Sequence, residues 1–174
     1  MSLTSKQLTD RLSMITGSDA SAIEGTSPYT SAYGAWATKT GRVKDTFKGN
    51  NKTKLGSWLE GFAVQEYEAF SGRKCRMVHR TLRHKKYDFI GGHIDRLVEG
   101  DPNRGVECKA VTSDGMGRWL DEDDNLIVPP YYISQVKHYA LITGRMTWDF
   151  AAVFTDGRRD PFFKTYEFTK DDID

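Results

Sequence analysis

Apolar positions along this chain follow a helical period up to Phe70 and a strand-like period beyond, with one helical return near residue 131. Leu8, Leu12 and Ile15 predict a first helix over 5–16, stopped by Gly17. Ser18-Asp19 reads as the N-cap of a short helix through Ile23 that Gly25 closes. After a turn at Ser27-Pro28-Tyr29, Ser31 caps a third helix that carries Tyr33, Trp36 and Ala37 and ends near Gly41. Residues 42–53, with Gly49-Asn50-Asn51 and four basic side chains (Arg42, Lys44, Lys48, Lys52), read as a polar loop. Leu55, Trp58, Leu59, Phe62 and Phe70 predict a long helix over 55–70 with a wide inward apolar stripe, ended by Gly72.

Strands are expected over 74–82, 87–98 and 105–111, and again over 146–155 and 162–168 around the turn Asp156-Gly157-Arg158-Arg159-Asp160-Pro161. Between the third and fourth strands come a Gly- and Asp-rich connection, 112–130, and a helix over 131–143. Pro129-Pro130 precede that helix and Gly144 follows it. Loops as long as 112–130 are usually functional or disordered. The order α-α-α-α-β-β-β-α-β-β predicts an α/β (α+β) sandwich with a mixed central β-sheet flanked by helices. We read 1–174 as one domain, with a helical N-terminal part (1–53) and a core (54–174).

Composition changes this picture little. The chain is long enough for one sizeable core, and its generous aromatic content argues against global disorder. Net charge of +1 leaves partners open, because clustered acids at a site cancel basic walls around it. Cys75 and Cys108 form no CxxC or Cys/His pattern, so neither a disulfide framework nor a zinc site is signalled. The N-terminus lacks a hydrophobic signal core and no apolar run approaches a membrane span, so the expected location is cytoplasmic.

Charge placement is more informative. Two apolar segments, 89–98 and 106–111, flank the turn Gly100-Asp101-Pro102-Asn103-Arg104-Gly105 and predict a β-hairpin. Asp95 is expected near the middle of its first strand. Glu107 and Lys109, two apart on its second, share a face. Two carboxylates with an ammonium can form a hard-cation site that acts on phosphate, although the same pattern also describes a surface ion pair. Glu60, set among Trp58, Leu59, Phe62 and Ala63, is either a site acid or a solvated one. The basic run 80–86 (Arg80, Arg83, Lys85 and Lys86) is either a solvated turn or a grip on phosphates.

Five blocks in order give the pattern a family. They are Gly17-Ser18-Asp19 with Gly25-Thr26-Ser27-Pro28-Tyr29, Ser31, Trp36 and Lys39-Thr40-Gly41; Gly56-Ser57-Trp58-Leu59-Glu60; Gly92-His93-Ile94-Asp95-Arg96-Leu97-Val98; Val106-Glu107-Cys108-Lys109; and Gln135-Val136-Lys137-His138-Tyr139. Together they resemble the YqaJ-like viral recombinases, relatives of phage lambda exonuclease in the PD-(D/E)xK nuclease superfamily. The resemblance spans Gly17 to about Thr155 and implies a restriction-endonuclease-like core. It implies that Asp95 and Glu107, helped by the Cys108 carbonyl, hold one or two Mg²⁺ ions, with Mn²⁺ able to substitute. Glu60 would reach in for a second ion or a bridging water, Lys109 would activate the attacking water, and Gln135 would orient it.

The implied activity is a phage or prophage exonuclease that degrades linear double-stranded DNA from 5′ ends to leave 3′ overhangs. Its implied partners are a single-strand annealing protein and further copies of itself, commonly a trimeric ring, in the cytoplasm of a bacterial host. Two other readings stay open from the residues: an endonuclease of the same fold, and a DNA-end-binding module without catalysis. Ile94 replaces the proline that names the motif. Where lambda exonuclease places an arginine for the 5′-phosphate, the matching place reads Gly17-Ser18-Asp19. Ser18 at a helix start would then substitute, with Lys52 or Lys54 as a second contact.

Overall fold

The chain is described by a computed structural model over residues 5–44, 49–157 and 160–173; the side chains of 5–8, 52 and 173 are outside that description. Its centre is a strand buried on both faces, β5 (Arg104–Thr112), in a five-stranded sheet of order β1-β4-β5-β6-β7. The neighbours are β1 (Cys75–Met77), β4 (Arg96–Val98), β6 (Thr147–Thr155) and β7 (Phe162–Phe168). A separate pair, β2 (Leu82–Arg83) and β3 (Gly91–Gly92), lies outside that sheet. Strands β5 and β6 run parallel from Arg104↔Thr147 to Thr112↔Thr155, and the other pairings are antiparallel. A parallel central pair covered on both sides explains why 148–154 is apolar except for Asp149 rather than alternating.

Helices form two outer layers. On one face, α4 (Asn51–Ser71) presents Ala63 and Tyr67 to Val98, Val106, Cys108, Ala151 and Val153. On the other, α6 (Pro130–Thr143) presents Val136, Tyr139, Ala140 and Ile142 to Val111, Trp148, Phe150 and Phe154. The helix α2 (Gly17–Ile23) packs on α6, where the Ser134 hydroxyl donates to Glu24 at 2.6 Å and stands 2.9 Å from the Thr26 hydroxyl. The remaining helices are α1 (Ser5–Leu12), α3 (Ala32–Lys39), α5 (Ser113–Met116) and α7 (Lys170–Ile173). The mixed α/β sandwich expected from the sequence is the fold observed.

Several local expectations are corrected. The first helix ends at Leu12, and Ile15 instead bridges Ile90 as an isolated strand pair. Thr16, not Ser18, caps α2, and Asp19 closes the capping box from the third helical position. The polar loop is shorter than expected, because Asn50 caps α4 at Asn51; Lys48 lies outside the described residues. Along α4 the wide inward stripe fails: Leu59 is buried, whereas Leu55, Trp58, Phe62 and Phe70 are exposed. The long strands expected over 74–82 and 87–98 are each broken into short pieces, with Asp95 at the bend before β4. Residues 112–130 are more ordered than a loop, with α5, a Leu120↔Leu126 bridge and the buried Trp119.

Gly105 is fixed by close packing. A Cβ added there would stand 2.5–2.7 Å from three ring atoms of Trp148, itself fully buried. We expect Gly105→Ala to lower unfolding free energy by about 2–3 kcal/mol, as overpacking of a rigid aromatic does. Urea titration checks this, and an unchanged midpoint would show that Trp148 yields freely.

Candidate active site

Period-two geometry puts Glu107 and Lys109 on the face of β5 that α6 covers, while Val106 and Cys108 face α4. Two side chains, one from β5 and one from α6, meet at the Glu107 carboxylate. The Lys109 ammonium donates to Glu107 Oε1, and Gln135 Nε2 on α6 donates to the same oxygen at 2.8 Å. The Gln135 amide also donates to the Tyr139 hydroxyl one turn along. Glu107 is only 1% exposed, and among the described residues its other oxygen, Oε2, has no hydrogen-bond partner.

Asp95 approaches from the bend before β4. Its Oδ2 accepts from the Cys108 backbone N–H at 3.0 Å, which ties the acid to the strand that carries Glu107. Burial, then the Asp95 charge, push the Glu107 carboxyl up to about 8, and Lys109 opposes them. Burial works against the Lys109 ammonium, but Glu107 outweighs it and holds that group above its ordinary value. Glu60 on α4 is raised first by burial and then by Asp95, so it stands within the field of the same cluster. Among the described residues no three His, Cys, Asp or Glu side chains are arranged to hold an ion as they stand. The donor chemistry nevertheless suits a hard cation. Acids crowd together, and among the described residues one buried Glu107 oxygen accepts no hydrogen bond.

The start of α2 borders this cluster. A Cβ on Gly17 would come within 2.9 Å of both Gln135 Cγ and Tyr139 Cε1, so glycine lets α2 approach α6 there. Ser18 is exposed beside it, and the Arg11 guanidinium donates to its hydroxyl at 2.8 Å. The sequence carries no signal for Arg11, which lies at the end of α1 while Ser18 lies at the start of α2. At seven residues α2 is short, and its first backbone turn is engaged by Thr16 and Asp19; the cations here are Arg11 and Lys39, whose ammonium pairs with Asp19 at 2.8 Å.

The basic run is not all free. Arg83 donates to the Asp88 carbonyl and reaches Ser13 Oγ at 3.4 Å, while the Lys86 ammonium lies 5.1 Å from the Tyr87 ring centroid. Arg80, Lys85 and Lys54 are exposed, and the Lys52 side chain lies outside the described residues. Thr81 Oγ1 donates to Asp10 at 3.0 Å, so this turn sits beside the segment that carries Arg11. His138 on α6 is buried, and its Nε2 lies 2.9 Å from the Gly91 carbonyl. Desolvation lowers its pKa from the ordinary value.

Residues 7–146 match the YqaJ-like viral recombinase domain. The chain belongs to that family. It is 35% identical over 137 residues to the uncharacterised protein YqaJ of Bacillus subtilis (strain 168), a match covering 79% of this chain and 41% of that protein. The chain therefore spans about two fifths of that curated relative's length. Among solved structures, this family member is similar to the alkaline exonuclease LHK-Exo of Laribacter hongkongensis in complex with dAMP. That match has a TM-score of 0.74 and 23% identity, covering 98% of this chain and 85% of the other. A phage-related exonuclease from Haemophilus somnus 129PT matches with a TM-score of 0.69 and 14% identity, covering 90% and 84%. These likenesses establish the fold.

Proposed function

We propose that this YqaJ-family chain is a metal-dependent exonuclease that degrades linear double-stranded DNA from 5′ ends, leaving 3′ overhangs. The observation that carries the reading is the buried Glu107 carboxylate, shared by Lys109 and Gln135 on one oxygen and, among the described residues, accepting no hydrogen bond on the other. Asp95 and Glu107, with the Cys108 carbonyl, would hold a Mg²⁺ or Mn²⁺ ion, and Glu60 would take part in a second. Held there, such an ion would supply Lewis-acid polarisation of a phosphate. Lys109 places positive charge beside the reacting phosphate and orients the attacking water by hydrogen bonding. Gln135 holds that water or a phosphate oxygen from the α6 side. The similarity to an exonuclease solved with dAMP, a deoxynucleoside monophosphate, supports release of such a product.

Arg11 and Ser18, adjoining Gln135 through Gly17, would hold the terminal phosphate of the degraded strand. Arg80, Arg83, Lys85 and Lys86, with Lys52 and Lys54, would follow the duplex backbone. Neutralising Arg80, Lys85 and Lys86 together should weaken duplex binding and reduce its salt slope by about 2–3. An unchanged slope would make that run a solvated turn. Leu55, Trp58 and Phe62, exposed on one side of α4, suit coverage by a second copy in a ring. A single-strand annealing protein would take the overhang, in the cytoplasm of a bacterial host. No described helix is long and apolar enough to cross a membrane.

Hydrolysis of linear duplex in Mg²⁺, with and without EDTA, tests the reading on substrates bearing a 5′-phosphate or a 5′-hydroxyl. EDTA-sensitive release of mononucleotides, faster from the phosphorylated end, is expected. Equal rates would remove Arg11 and Ser18 from this role, and no EDTA-sensitive hydrolysis would overturn the reading.

A further inference from the structure

A lysine beside a buried carboxylate has an obvious place to rest, and it is not beside a substrate. The Lys109 ammonium donates to Glu107, yet a second group also claims it: Nζ stands 4.5 Å from the centroid of the Tyr132 ring. Tyr132 lies in the first turn of α6, three residues before Gln135. The face of an aromatic ring carries negative quadrupole density and attracts an ammonium most strongly where water is excluded.

The ring is itself held. It packs on Trp119, with centroids 5.1 Å apart, and on Tyr131 at 4.4 Å. Trp119 is anchored in the core by edge contacts with Phe150 at 6.4 Å and Phe154 at 6.3 Å. A line of aromatic contacts therefore runs from strand β6, through the connection that carries Trp119, to the Lys109 ammonium. This gives the long 112–130 segment a role at the site.

The geometry points to Tyr132 as a positioning residue: its ring, braced by Trp119, holds the Lys109 ammonium in place once Glu107 is engaged elsewhere. The inference rests on the reading of Lys109 as the group that serves the reacting phosphate. A flexible four-carbon side chain otherwise follows its carboxylate or turns to solvent. It is the ring face that holds the ammonium, and the phenol hydroxyl has a partner of its own in Tyr131.

Tyr132→Phe should retain kcat within about twofold, while Tyr132→Leu should lower kcat by about 10- to 100-fold, with KM for DNA little changed. Phenylalanines bearing one, two and three ring fluorines at position 132 keep the shape and weaken the quadrupole. Their log kcat should fall stepwise, which a purely structural role would not produce. This series also serves if Tyr132→Leu fails to fold. Ring-current shifts of the Lys109 methylene protons, measured by NMR without DNA, report the contact independently of cleavage.

A flat fluorine series, or a cleaving wild type without the upfield shift, would overturn the proposal. A wild type that shows the shift and cleaves no DNA would overturn the nuclease reading and leave the ring–ammonium contact established.

Discussion

Lys109→Ala should lower the rate of DNA hydrolysis by about 10³-fold or more and leave duplex affinity within about threefold. The asymmetry follows from where the ammonium sits. It is half-buried between the Glu107 carboxylate and the Tyr132 ring, away from the exposed basic run that would follow the backbone. In the proposed role, a charge so placed would contribute little to holding DNA and much to stabilising charge that develops at the reacting phosphate. Gel-shift titration of the duplex in Ca²⁺, beside single-turnover hydrolysis in Mg²⁺, separates the two quantities. Equal loss of both would count against a catalytic role. Truncation also leaves Glu107 with Gln135 as its remaining donor, so the variant should gain more thermal stability from Mg²⁺ than the wild type does.

Asp95→Asn should abolish Mg²⁺ uptake measurable by calorimetry and lower hydrolysis by about 10³-fold or more. Asparagine keeps the shape and can still accept from the Cys108 N–H, so the bend before β4 should hold. What changes is charge. A hard cation prefers anionic oxygen, and replacing one of two principal carboxylates by a neutral amide removes much of its attraction. Normal Mg²⁺ uptake by this variant would place the ion elsewhere. Cleavage lost with uptake intact would make Asp95 a holder of substrate instead.

How much of this was legible depends on how far along the chain each contact reaches. Glu107 and Lys109 on one face of β5 follow from strand periodicity over two residues, and the structure has them there. Gln135 is 28 residues further on, and the family's block order, not periodicity, brought it into the same picture. Asp95 was placed mid-strand because 87–98 is continuously suitable for a strand; the Gly91-Gly92 pair with Arg83 and Leu82 takes its first part out of the main sheet. The α4 stripe was over-read because hydrophobicity does not say how wide a surface the sheet offers. Leu59, Ala63 and Tyr67 fill it, leaving Trp58 73% exposed. Tyr132 and Trp119 had no sequence signal, since an aromatic next to a helix start reads as core. Arg11 was overlooked for a related reason, as it ends one helix while Ser18 begins another.

The central claim is that this cluster hydrolyses DNA from an end. Digestion of end-labelled linear duplex beside a closed circle, in Mg²⁺, tests it most directly. Mononucleotides are expected from the linear DNA alone, with 5′ label released early and 3′ label retained. Nicking of the closed circle would contradict it and make the same residues an endonuclease, while binding of linear ends with no cleavage would leave the cluster without its chemistry.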